Sequence, residues 1–162
     1  MTAKTRDMEL MYYEERHYNQ VCEYNLDETQ KDFTALPREA ISRFKDNPAC
    51  ELIVMITHNN PVGFFVLHKG EDVLQDENAK GSMLIRSLSV NPVYQGKGLA
   101  QKAMRMLPSF VKKNHPDMLE LFLMVNEGNL RAYHVYKKVG YMDRGLRREG
   151  PHGMQKVLHY KL

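Results

Sequence analysis

The run Gln95-Gly96-Lys97-Gly98-Leu99-Ala100-Gln101 has the make-up of an anion site. Upstream, Leu84 to Val90 alternates as a strand would and runs into Asn91-Pro92; downstream, the apolar residues recur at helical spacing. The stretch therefore reads as strand, tight turn, glycine loop and helix. The first turn of a helix carries amide N–H groups with no internal partner, and the summed dipole adds roughly half a positive charge there. Glycines let a phosphate approach the backbone with no Cβ in the way, and Lys97 adds positive charge. The chemistry this arrangement offers is a grip on a phosphate or pyrophosphate. A glycine pair ahead of a helix also serves as a plain turn. Two better-known phosphate loops are excluded. Lys97 follows Gly96 directly, which breaks GxxxxGK[ST], and Gln101 stands where GxGxxG needs its third glycine.

Composition narrows the classes. The 162 residues suit one domain with a sizeable core, and 43% apolar with 27% charged residues is ordinary for a globular chain. A net charge of +3 makes no demand for nucleic acid, and no apolar run approaches the ~20 residues of a membrane span. The polar N-terminus lacks a signal-peptide core. Cys22 and Cys50 lack CxxC spacing, so a reduced cytoplasm is the default location. The seven histidines form no HxxxH or HExxH pair, and no metal site is expected.

The elements that must position the loop follow from periodicity. A first strand is expected at Met8–Tyr13, a helix from Glu14 to about Tyr24, and a second helix opening at Leu36-Pro37 and ending at Asn47-Pro48. Cys50–Thr57 and Val62–His68 read as a hairpin, and Glu71–Gly81 as an exposed acidic loop. Ser82–Val90 is the central strand, and Gly98–Asn114 the helix after the loop, with Pro108 inside it expected to kink it or free an amide. Leu119–Val125 follows as a strand parallel to the central one, because a helix makes the crossover. Asn129–Val139 is a helix stopped by Gly140, and Tyr141–Leu146 with Met154–Tyr160 a final hairpin.

The loop block, Gln-x-x-Gly-x-Ala after a strand ending Leu88-x-Val90, resembles the acetyl-coenzyme A loop of the GNAT family of N-acetyltransferases. A second block follows in order. Asn129, Ala132, Tyr136 and Gly140-Tyr141 match the family pattern of Asn, Ala and a later Tyr ahead of a Gly-aromatic pair. The resemblance covers the second and last thirds of the chain; the first third matches only in its order of elements. It implies a mixed α/β sheet flanked by helices, whose two central parallel strands splay at their C-terminal ends. The opened edges would pair with the amides of a pantetheine arm.

By that resemblance Leu88, Ser89 and Val90 would present main-chain groups to acetyl-CoA, and Gln95, Gly96, Gly98, Leu99 and Ala100 would wrap the pyrophosphate. Lys97 and Gln101 would reach phosphate oxygens, and Asn129 would lie near the pantetheine arm. Tyr136 stands in the family position for the general acid that protonates the departing thiolate, with Tyr133 a weaker second candidate. The competing reading of Tyr136 is a helix tyrosine with its ring in the core and its hydroxyl at the rim. The implied reaction is direct attack by a primary amine on the thioester. A carboxylate base is not readable: the central strand offers Arg86, Ser87 and Ser89, and Glu14, Glu23 and Glu120 are unranked alternatives.

For the acceptor, Glu23, Asp27 and Glu28 would form an acidic rim drawing a small cationic amine such as a polyamine. Protein acetylation at a lysine or an N-terminus is an alternative. A non-catalytic acetyl-CoA sensor is another, of a different class. Exposed sheet edges would allow a homodimer.

Overall fold

The structure is a computed structural model and describes residues 8–23 and 35–162. Its strands are β1 (Glu9–Tyr12), β2 (Cys50–Thr57), β3 (Asn60–Lys69), β4 (Ser82–Val90), β5 (Glu120–Asn126), β6 (Met142–Gly150) and β7 (Gly153–Lys161). Its helices are α1 (Tyr18–Val21), α2 (Pro37–Phe44), α3 (Gly70–Leu74), α4 (Leu99–Asn114) and α5 (Leu130–Val139). All seven strands join one sheet in the order β1-β2-β3-β4-β5-β7-β6. Every neighbouring pair is antiparallel except β4 and β5, which the α4 crossover makes parallel.

β2 and β3 read as near-continuous apolar runs because both of their faces are covered. On one face Ile53, Met55, Phe65, Leu67, Met83 and Ile85 pack with Ala103, Met104, Leu107 and Val111 of α4. On the other, Val54, Phe64 and Val66 pack with Val21 of α1 and with Ala40, Ile41 and Phe44 of α2. The β2–β3 turn turns on His58 and Asn59, with φ of +48° and +64°, the sign that suits the twist of a two-residue hairpin.

Three expectations needed correction. The helix expected from Glu14 is a 3₁₀ turn, Glu15–His17, followed by the single turn of α1. The Glu14 amide donates to the Nδ1 of buried His17 at 3.0 Å, which ties the chain into the tighter turn. The expected acidic loop contains α3 and a 3₁₀ turn at Glu77–Ala79; Asp72 is held by His68, and the Asp76 side chain caps the second turn. The closing hairpin extends to Gly150 and Gly153, with a bulge at Gly145, where φ is +87°. α4 continues through Pro108, whose missing N–H leaves the Met104 carbonyl without its helical donor.

Two irregularities in the middle of the sheet create the site. β4 and β5 pair over only four positions, from Ser82↔Glu120 to Ile85↔Leu123. Beyond these, β4 stays on β3 as far as Val90, and β5 stays on β7 as far as Asn126, so the two strands part. The second irregularity lies in β4. Arg86 faces Val66 and Ser89 faces Phe64, which leaves Ser87 and Leu88 opposite the single residue Phe65. Ser87 takes up the extra length at φ +56°. Such a bulge bends its strand and removes a residue from the ladder.

Candidate functional site

The parted strands, the N-terminus of α4 and the first turns of α5 enclose a cavity of about 910 Å³. β4 contributes Leu88, Ser89 and Val90 to its wall. The loop and helix contribute Gln95, Gly96, Gly98, Leu99, Ala100 and Gln101. Asn129 and Tyr136 come from the α5 side. Lys97 alone of the expected cofactor residues is absent from the lining; its Nζ sits 5.6 Å from the centre of the Tyr94 ring.

The loop has the geometry of an anion cradle. Gly98 is the N-cap of α4 at φ +72°, and no side chain caps the helix. Gly96 lies at φ +80°, and a Cβ built on either glycine meets no atom within 4 Å. The amides of the first turn of α4 therefore face a space that a side chain at 96 or 98 would enter. Gln95 works differently from the loop glycines: its Nε2 donates to the Val90 carbonyl at 2.9 Å and ties the loop to the end of β4.

Asn129 has a structural task as well, since its Oδ1 accepts from the Ala132 amide at 3.2 Å and caps α5. Tyr136 is half-buried, with its ring edge-on to Tyr141 at 5.9 Å. Its hydroxyl makes no hydrogen bond among the described residues, and burial raises its pKa above the usual phenol value. The phenol accordingly stays protonated through the neutral range.

The remaining candidates lie elsewhere. The Tyr133 hydroxyl donates to Asp143 at 3.3 Å on the closing hairpin. Glu14 pairs with Arg16 at 2.8 Å. Glu120 pairs with His159 and Arg144 at 3.0 and 3.1 Å, at the closed end of the β4–β5 seam. Glu23 is exposed, and none of these residues lines the cavity. Asp27 and Glu28 lie outside the described residues.

Two residues given no site role from the sequence also line the cavity. Asn126, only 8% exposed, lines the cavity where β5 leaves β4, and its Oδ1 has no hydrogen-bond partner. Arg86 also lines the cavity and is bonded to His68 on the neighbouring strand. Asn126 reads locally as the end of an apolar run and carries no motif. Arg86 was read only as one of the residues the central strand offers where a carboxylate base would stand.

A diphosphate carried on a long amide-bearing arm fits these residues. The glycine cradle suits the diphosphate, the parted edges suit the amides, and the orphaned Asn126 Oδ1 is an acceptor in need of a donor.

Comparison with known proteins agrees with this geometry. The Acetyltransferase (GNAT) family profile matches residues 15–141. The uncharacterized N-acetyltransferase YbbJ of Bacillus subtilis (strain 168) is 39% identical over 159 residues, spanning 98% of this chain and 99% of that protein. The spermidine N(1)-acetyltransferase of Escherichia coli (strain K12) is 36% identical over 58 residues, which is 35% of this chain and 30% of that one.

Among solved structures, the spermidine N-acetyltransferase from Vibrio cholerae in complex with CoA and spermine superposes with a TM-score of 0.72 at 16% identity, covering 96% of this chain and 95% of that one. The aminoglycoside acetyltransferase AAC(6')-Ib in complex with coenzyme A and kanamycin gives 0.78 at 18% identity, covering 95% and 94%. A profile spanning most of the chain and a relative aligned along nearly its whole length, on a sheet whose two parallel strands part, lead to one conclusion: the chain belongs to the GNAT family, the acetyl-CoA-dependent N-acetyltransferases.

Proposed function

We propose that this enzyme acetylates the primary amine of a small molecule by direct attack on the thioester. The observation that carries the reading is the cavity between β4 and β5, lined by the α4 cradle on one side and by Tyr136 of α5 on the other. First-turn amides of α4 hold the diphosphate. The bulge at Ser87 turns β4 main-chain groups near Leu88 toward the carbonyl that becomes an oxyanion.

Tyr136 donates a hydrogen bond to the departing sulfur. A thiol has a pKa of ~8.5 and an ordinary phenol ~10, and burial raises Tyr136 further, so full proton transfer from it is uphill. The phenol stabilises the thiolate chiefly as a donor, while the proton shed by the attacking nitrogen balances the reaction. No carboxylate among the described residues lines the cavity, so that proton leaves through water.

Relatives named for spermidine and for aminoglycosides support a small amine acceptor, and polyamines are one class to assay. Thiols at Cys22 and Cys50 that are both free fit a reducing cytoplasm. Among the described residues no helix is long and apolar enough to cross a membrane.

Calorimetric titration with coenzyme A, followed by thiol release from acetyl-CoA across an amine panel, tests the proposal. The expected results are saturable binding and amine-dependent release. Absence of coenzyme A binding would overturn it, as would release that no amine stimulates.

A further inference from the structure

β4 shows different side chains to the two faces of the sheet. Leu88 and Val90 pack toward α4, on the side of the diphosphate cradle. Arg86 and Ser89 stand opposite Val66 and Phe64, which pack under α1 and α2, so they emerge on the other face. The cavity reaches both faces because the strands part. An arm entering from the α4 side would meet its acceptor on the side of Arg86.

Arg86 is half-buried and held from two directions. Its guanidinium stacks over the Phe44 ring at 4.7 Å, and its Nη1 donates to His68 Nδ1 at 3.3 Å. A guanidinium has only donors, so Nδ1 must accept, and the ring hydrogen lies on Nε2. That nitrogen donates to Asp72 Oδ2 at 2.6 Å. The chain Asp72–His68–Arg86 thus orients the arginine and gives it no direct carboxylate. No acidic side chain among the described residues pairs with Arg86, although buried charges are ordinarily paired. After burial itself, the charges of Arg43 and, less strongly, Arg148 favour loss of its proton, while the Cys50 thiol acts the other way. Arg43 also faces the Phe44 ring, at 4.9 Å.

We propose that Arg86, oriented by His68 and Asp72 and flanked by Arg43 and Arg148, binds an oxyanion on the acceptor, so that the acceptor is an amine carrying a carboxylate or phosphate. A preorganised guanidinium fork matches either group with two parallel hydrogen bonds. A bare polycation in the same place would meet the like charge of Arg86, which lines the cavity. The inference rests on the acetyl-transfer reading and names its acceptor class.

The test compares amines that differ only in the oxyanion. Lysine with cadaverine and phenylalanine with phenethylamine probe a carboxylate; phosphoethanolamine with ethanolamine probes a phosphate. Wild-type kcat/KM is expected to favour the oxyanion-bearing member of at least one pair. In R86Q that ratio should fall roughly tenfold to a hundredfold, the worth of the charge-assisted hydrogen bonds removed. R86K, which keeps the charge and loses the fork, should fall between, and thermal unfolding curves establish that each variant is folded. Preference for the plain amine in every pair overturns the proposal, and so does an R86Q ratio equal to wild type. Turnover of spermidine with no oxyanion-bearing amine accepted overturns it as well, as does coenzyme A binding without turnover of any such amine. Failure to bind coenzyme A at all would instead defeat the acetyl-transfer reading.

Discussion

Tyr136 is the residue at which chemistry and packing are hardest to separate, because it packs against the core and also lines the cavity. Removing only the oxygen separates them. Tyr136→Phe should lower kcat roughly 10- to 1,000-fold while the KM for acetyl-CoA stays within about twofold, since the ring still fills its place against Tyr141. Steady-state kinetics at saturating amine read this directly, and unchanged kcat would remove the hydroxyl from the reaction. The place of Tyr136 in the cavity wall could be anticipated from the sequence, because spacing along one helix, from Asn129 through Ala132, sets it. The Arg86–His68–Asp72 chain was not legible in that way. Its members come from β4, β3 and α3 and meet only when register sets Arg86 beside Val66, two residues from His68.

At the scale of elements, the glycine loop is the clearest case of backbone conformation dictating residue type. Gly98 sits at φ +72°, and its missing Cβ would point into open space. Gly98→Ala should cost about 1 kcal/mol of fold stability from the left-handed conformation alone. It should also weaken coenzyme A binding at least tenfold, because the new methyl enters the cradle. Thermal unfolding and calorimetry separate the two effects, and undiminished affinity would place the diphosphate elsewhere. Strands β2 and β4 were legible to the residue, because a continuous apolar run in the one and an apolar alternation in the other, each bounded by turn residues, have few alternatives. The 3₁₀ turn at Glu15–His17 and the short α3 were missed because each is held by a histidine contact rather than by periodicity. The bulge at Ser87 was missed because nothing in the type of a serine announces a positive φ.

At the scale of the whole molecule, Asp143 joins α5 to the closing hairpin. It accepts from Arg147 at 2.9 Å, from the Gly145 amide at 2.9 Å and from Tyr133 at 3.3 Å. These partners, Arg147 first, lower its pKa from 3.8 to about 2. A carboxylate depressed in the folded state adds stability above its unfolded pKa and loses it as the pH falls through the folded value. Asp143→Asn should therefore destabilise the protein by about 1 kcal/mol at pH 7, allowing for solvent screening. The deficit should shrink between pH ~4 and ~2, which unfolding midpoints across that range would show. A deficit constant with pH would mean that the role of Asp143 is steric.

The four-rung seam between β4 and β5 has a mechanical consequence. The sheet is built as two leaves, one of four strands and one of three, each continuously laddered within itself and stitched to the other only at one end. A ligand threaded through the gap and hydrogen-bonded to both lips acts as a rivet. With acetyl-CoA bound there as proposed, occupancy and stiffness would rise together, and the acetyl donor would serve, for as long as it stayed, as part of the protein's own framework.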